Sequence, residues 1–270
     1  MPVAELAIDR RAITAQLAAA VREAGAMALK KFRSPFKSWT KHGSSPVSEV
    51  DMAVDELLRE RLGRSKPAFA WLSEESIDDP VRLDARRVWI VDPIDGTRAF
   101  ISGLDDWAVS AALSEDGRPI AAALFAPVED RLYLATAGGG TTLNGVAVVT
   151  GTDVELDGTR VAGPKRRLDA FVALRSRIEA LPKVNSLALR VARVASGDID
   201  ISIAGPNSHD WDLAAADLVV EEAGGALTTL DGQKPIYNRA DPVHPTLVAA
   251  GRARHAVLLQ WLQGQRAAFE

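Results

Sequence analysis

The segment Trp89-Ile90-Val91-Asp92-Pro93-Ile94-Asp95-Gly96-Thr97 constrains this chain more than any other. Its apolar start predicts a strand over Val88 to Val91 that ends in two carboxylates spaced i and i+3 around a proline. Such an end can turn the oxygens of Asp92 and Asp95, and the carbonyl of Ile94, toward one point, a geometry suited to hard divalent cations. If Gly96 and Thr97 open a helix, free backbone N–H groups aim at the same point and offer an anion a seat beside the metal. Taken in isolation, the same residues also make a simple turn with capping side chains.

The rest of the composition narrows what that segment can serve. A chain of 270 residues allows one large domain or two half-size layers sharing a cleft. With 47% hydrophobic and 25% charged residues, wholesale disorder, a collagen repeat and a coiled coil are excluded. The 32 basic and 36 acidic residues leave a net charge of -4, so there is no basic field for a nucleic-acid polymer or an anionic membrane. Any phosphate must be held by local devices. Absence of cysteine removes disulfides, thiolate zinc sites and cysteine nucleophiles, and leaves oxygen-ligand metal chemistry. Glu5, Asp9, Arg10 and Arg11 leave no signal-peptide core, and no apolar run approaches the ~18 residues of a membrane span. The expectation is a cytoplasmic enzyme or binding protein.

Helical spacing predicts a long amphipathic helix over Leu6 to Phe32, stopped by Ser34-Pro35, and a second over Glu49 to Leu62 with Ser48 as its N-cap. Strand-like runs follow at Ala68 to Leu72, Val88 to Val91, Trp107 to Leu113, Ile120 to Phe125 and Arg131 to Thr136, with a hairpin turn at Asn144-Gly145. Consecutive strands without helices between them suggest an antiparallel sheet. Beyond about residue 150 the rhythm alternates. Strands are expected at Phe171 to Leu174, Ile199 to Ala204, Ala226 to Leu230 and Thr246 to Ala250, and helices at Ser186 to Ala195, Asp212 to Ala223 and Arg254 to Gln263. The polar stretch Thr150 to Lys165 is the candidate boundary between an α+β half, 1–149, and an α/β half, 150–270.

Two further acidic clusters flank the first. Glu74 and Glu75 follow a short apolar run in Leu72 to Ser76, and Asp212 opens an apolar helix within His209 to Ala214. Each has an ordinary reading as well: a solvated loop for the glutamates, and for Asp212 an acid stabilised by the helix dipole. Asp51, three residues after Ser48, is close to a capping box. Gly138-Gly139-Gly140 lies between strand-like runs and lacks the lysine of a phosphate loop, so it reads as a hairpin turn. Lys41 and His42 precede Ser44-Ser45-Pro46 and read as surface charge or as part of a basic flap near the site.

Together the clusters resemble the inositol monophosphatase superfamily of lithium-sensitive, magnesium-dependent phosphatases. The resemblance rests on Leu72 to Ser76, Trp89 to Thr97, Trp211 to Gly225 and Ser45 to Asp51, and runs from about Leu17 to Gly251. It implies an α/β fold of layered α+β type, an αβαβα five-layer sandwich with the site between the halves. It also implies that Glu74, Asp92, Asp95, Asp212 and the Ile94 carbonyl hold two or three Mg²⁺ ions, that Asp95, Gly96 and Thr97 cradle the substrate phosphate, and that Asp51 and Thr97, with Glu74, prepare the attacking water. Mn²⁺ would substitute, Ca²⁺ and Li⁺ would inhibit, and a homodimer is common. An electrostatic check agrees: two carboxylates ~4 Å apart repel by about 4 kcal/mol at an effective dielectric of ~20, so four can share a cleft only with compensating charge.

Substrate identity is less determined. Members specific for inositol phosphates usually carry a glutamate ahead of the Trp-Asp motif, where this chain has Ile203-Ala204-Gly205-Pro206-Asn207. That gap, the Leu-Ser-Glu-Glu form of the second cluster and the Thr97-Arg98-Ala99-Phe100-Ile101 continuation are more similar to the bacterial 3'(2'),5'-bisphosphate nucleotidases. The alternatives are an inositol-1-monophosphatase, a related sugar or histidinol phosphatase, and a non-catalytic binding or regulatory protein on the same fold. Retention of Asp51, Glu74, Asp92, Asp95, Thr97 and Asp212 speaks against the last.

Overall fold

The computed structural model describes residues 8–41, 45–64, 68–174 and 177–264. His42 and Ser44, part of the basic flap considered above, lie outside the described residues, as do the first residues of the expected N-terminal helix.

Helix α1 (Arg10–Lys31) begins where the Asp9 side chain accepts from the amides of Arg11 and Ala12. A two-stranded hairpin, β1 (Ser38–Thr40) and β2 (Pro46–Ser48), leads into α2 (Glu49–Gly63), which starts at the expected N-cap Ser48. Both helices lay their apolar stripes on one face of a seven-stranded sheet: β3 (Ala70–Ser73), β4 (Arg87–Asp95), β5 (Ala108–Glu115), β6 (Arg118–Ala126), β7 (Arg131–Thr136), β8 (Gly140–Leu143) and β9 (Val146–Val148), in that spatial order. The short helix α3 (Thr97–Ile101) follows β4. Gly25 of α1 permits the close approach to the sheet, because a Cβ there would stand 2.5 Å from Phe125.

The expected antiparallel pairing holds from β4 to β9, but β3 runs parallel to β4. The reason lies in the connection: the long link between them, which includes a 3-10 turn at Pro80–Asp84, is a crossover and not a hairpin. The glycine tract is the β7–β8 turn, as expected. Its amides at Gly138 and Gly140 donate to the carboxylate of Glu222 at 2.8 and 2.9 Å, so its anion is the protein's own.

The remaining elements are β10 (Arg160–Ala162), α4 (Lys165–Leu174), β11 (Glu179–Ala180), α5 (Leu187–Ala192), β12 (Ile201–Ala204), β13 (Ser208–His209), α6 (Asp210–Glu222), β14 (Gly225–Thr229), β15 (Val243–His244), β16 (Leu247–Gly251) and α7 (Arg252–Gln263). A second sheet has the order β11-β10-β12-β16-β14, parallel at its first two pairings and antiparallel at the others. Helices α5 and α6 fill the space between the two sheets, which explains why α6 is apolar nearly all round: Leu213, Ala214, Ala215, Ala216, Leu218, Val219 and Val220 are all buried. Helices α4 and α7 cover the outer face of the second sheet. The layers therefore stack αβαβα, as the resemblance implies.

One expected element is wrong. Phe171 to Leu174 is not a strand but the last turn of α4. A four-residue apolar run carries too little periodicity to distinguish the two. Leu168 and Phe171, three residues apart, face the outer core, where Phe171 packs on Trp261 with ring centroids 4.8 Å apart, while Asp169 and Val172 stay exposed. No helix among the described residues is long and apolar enough to cross a membrane.

Candidate active site

Strand β4 delivers the central acids through a bulge. Asp92 pairs with Ser110 and Asp95 with Ala108, so three steps along β4 match two along β5 and one extra residue is absorbed at Pro93-Ile94. Proline has no amide hydrogen to lose from the ladder there. Gly96 then takes φ 93°, a conformation that favours glycine, and a Cβ would press on Asp106 O at 3.1 Å and Ser186 N at 3.2 Å. The chain turns immediately into α3, with Thr97 as its first residue.

From the helical layer between the two sheets, α6 presents Asp212 in its first turn. One Asp212 oxygen accepts from the backbone N–H of His209 at 2.6 Å, the ordinary capping role. Asp92, Asp95 and Asp212 nonetheless converge, each offering an oxygen within 4.8 Å of the others. Glu74, at the end of β3, lines the same cleft of about 290 Å³ but stands outside that tight triad. Its carboxylate faces the Lys41 ammonium at 3.8 Å, and Lys41 also pairs with Glu75.

This convergence has an electrostatic cost. At 4.8 Å two carboxylate charges repel by about 3 kcal/mol at an effective dielectric of ~20. Burial pushes Asp92 well up from its ordinary value, and the nearby Glu74, Asp95 and Asp212 push it further. Burial likewise raises Glu74 to about 8, with Lys41 opposing, and Asp95 to about 7, with Asp212 adding to the rise. Asp95 is partly relieved, because Ser186 Oγ and the Ala188 amide donate to it at 2.5 and 2.6 Å. Asp92 is not: it is buried, and neither of its oxygens meets a hydrogen-bond donor among the described residues. Without a cation such a group is driven toward its neutral form, and a buried, unpartnered carboxylate beside two others suits a divalent cation.

Asp51 reconciles its two readings. Oδ2 accepts from Ser48 N at 2.8 Å and from Ser48 Oγ at 2.5 Å, completing the capping box, while Oδ1 lies 3.1 Å from Thr97 Oγ1. Thr97 Oγ1 also lies 3.0 Å from the Ile94 carbonyl, so its one proton serves either acceptor. Burial raises the Asp51 pKa, with Ser48 and Thr97 opposing. The pair therefore couples a hydroxyl at the cleft to a carboxylate more basic than usual.

Several supporting residues escaped the reading of the sequence. Ser186 both caps α5 and holds Asp95, although nothing in its neighbourhood distinguishes it from any N-cap serine. Asp55 binds Ser73 Oγ at 2.5 Å and Ser76 Oγ at 2.6 Å, fixing the loop that carries Glu74. Here a signal existed: Asp51 and Asp55 are one turn apart on the helix face that also carries the buried Val54 and Leu58.

Comparison with known proteins points the same way. A family model described as the inositol monophosphatase family matches residues 9–265. The chain is 36% identical over 208 residues to a histidinol-phosphatase of Mycobacterium tuberculosis, covering 72% of this chain and 77% of the relative. It is 33% identical over 227 residues to an inositol monophosphatase of Dictyostelium discoideum, covering 79% and 83%. In structure it is similar to the extragenic suppressor protein suhB of Bartonella henselae, with a TM-score of 0.83 at 26% identity over 93% of this chain and 98% of that one.

Proposed function

This chain belongs to the inositol monophosphatase family and is a phosphoric monoester hydrolase, and from that premise we propose that it releases phosphate from a small phosphorylated metabolite with Mg²⁺ as its cofactor. The observation that carries the proposal is the orphaned carboxylate of Asp92 between Asp95 and Asp212. Glu74, Asp92, Asp95, Asp212 and the Ile94 carbonyl would hold the cation. Once bound, it would offset the charge of the acids, polarise the phosphoryl oxygens and make water more acidic.

The chain's own residues do the rest. Thr97 Oγ1, donating to Asp51 Oδ1, keeps its lone pairs for the attacking water and sets that water's direction. Asp51, with its raised pKa, receives the proton by way of the threonine hydroxyl. Gly96 and Thr97, at the turn into α3, border the space in which the phosphoryl oxygens would lie. Asp95 is aligned by Ser186 and Ala188 and cannot swing away when the charge in the cleft changes.

For the alcohol, the favoured reading is a 3'(2'),5'-bisphosphate nucleotide, supported by the absence of an acid from Ile203 to Asn207. Without that carboxylate the site has one acceptor fewer for ring hydroxyls, and a hydroxyl left unpaired costs about 1 to 3 kcal/mol once desolvated. Histidinol phosphate is the second reading, favoured by the 36% identity to a histidinol-phosphatase. The test is Mg²⁺-dependent phosphate release from 3'-phosphoadenosine 5'-phosphate, histidinol phosphate, inositol 1-phosphate and fructose 1,6-bisphosphate. The bisphosphate nucleotide is expected to show the highest kcat/KM. A tenfold preference for histidinol phosphate or for the inositol ester would overturn the choice of alcohol.

A further inference from the structure

The carboxylate cleft shares one wall with a second, larger cavity of about 540 Å³, and the residues common to both are Lys183 and Asn185. The chain here is held at three successive positions. Arg190, buried in α5, donates from Nη1 to Val184 O at 3.1 Å. Asn185 gives its backbone and side-chain N–H groups to the Asp106 carboxylate. Ser186 donates to Asp95. The segment that follows Lys183 is thus anchored at Val184 and Asn185, and three residues on, through Ser186, to one of the acids of the cleft.

The charges in the second cavity are already committed, with one exception. Arg131 is bound to Asp198 and Ser196, and Arg193 to Glu129. Asp106 is occupied by Asn185. Lys183 is exposed, and among the described residues its ammonium enters no ion pair or hydrogen bond. Apolar side chains of Leu104, Leu181 and Ile199 complete the wall, a surface that suits the organic body of a ligand more than bulk water.

We propose that Lys183 is a specificity-determining residue that receives a second anionic group carried on the alcohol portion of the phosphomonoester. The inference rests on the phosphatase reading above and names the class of substrate: an ester with a second phosphate, or another anion, on the group that leaves. The physical reason is a conflict of charges. A doubly anionic ester approaching four carboxylates is repelled at both ends. A cation held by the acids of the cleft would answer one end, and the uncommitted ammonium on the shared wall answers the other. An uncharged polyol would gain nothing from that ammonium.

The test compares two substrates that differ only in the second anion, 3'-phosphoadenosine 5'-phosphate and adenosine 3'-monophosphate, in wild type and in Lys183→Ala, Lys183→Glu and Lys183→Arg, with saturating Mg²⁺. Expected is a preference for the bisphosphate in kcat/KM that falls roughly tenfold in the alanine variant, the size of a charge-assisted hydrogen bond. It should fall further in the glutamate variant and recover with arginine, with the change in KM and not in kcat. In wild type the preference should also shrink as salt rises. Equal losses for both substrates, or a wild type indifferent to the second phosphate, would overturn the inference while leaving the phosphatase reading intact. No Mg²⁺-dependent release from any ester, p-nitrophenyl phosphate included, would overturn both.

Discussion

Replacing Asp95 with asparagine tests whether the acids of the cleft are held together against their own repulsion. In the metal-free protein, burial and then the Asp212 carboxylate raise the Asp95 pKa from an ordinary 3.8 to about 7, against opposing hydrogen bonds from Ser186 and the α5 backbone. The sign follows from linkage: an acid whose pKa is higher folded than unfolded costs nothing below pH 3.8, costs progressively more up to about 7, and costs its full amount beyond. At ~1.36 kcal/mol per pH unit, that full amount is on the order of 4 kcal/mol. An asparagine keeps an oxygen for Ser186 and Ala188 and removes the titration. Thermal unfolding in excess chelator should therefore show Asp95→Asn gaining on wild type as pH rises from 5 to 8. At about 2 to 4 °C per kcal/mol for a chain of this size, the gain over that interval is roughly 5 to 10 °C. With saturating divalent cation the same variant should lose turnover by orders of magnitude. A difference in Tm that is identical at both pH values, or a variant less stable than wild type at pH 8, would refute the electrostatic account.

Two further substitutions separate roles that a static arrangement leaves together. Thr97→Ala should lower kcat by about 10² to 10⁴, the usual worth of general acid–base assistance, with divalent-cation affinity measured by calorimetry almost unchanged; a matching loss of affinity would make Thr97 a ligand. Asp55→Ala removes the acceptor for the hydroxyl protons of Ser73 and Ser76 in a mostly buried setting. It should reduce stability by about 1 to 3 kcal/mol, read from the urea midpoint, and an unchanged midpoint would show that those hydroxyls find other partners.

Much of this protein is local in origin. The helical spacing of Ile13, Leu17 and Val21, the cap at Ser48, the Asn144-Gly145 turn and the apolar run into Asp92 each depend on neighbours a few residues away, so a one-dimensional reading reaches them. The family resemblance added the order of the layers and grouped acids far apart in the chain. Where local signals were balanced the reading failed, as at Phe171 to Leu174, whose helical state is decided by what Leu168 and Phe171 find to pack against. Other features belong to the tertiary structure alone. The parallel pairing of β3 with β4, the support of Asp95 by a serine that follows it by 91 positions, and the uncommitted ammonium of Lys183 all depend on which surfaces meet across the layers. A capping box at Asp51 and a capping acid at Asp212 look alike in sequence to any others. Packing sets the second oxygen of Asp51 against Thr97 and brings the Asp212 carboxylate up to Asp92 and Asp95, and a carboxylate can serve both a helix end and a second partner because it has two oxygens.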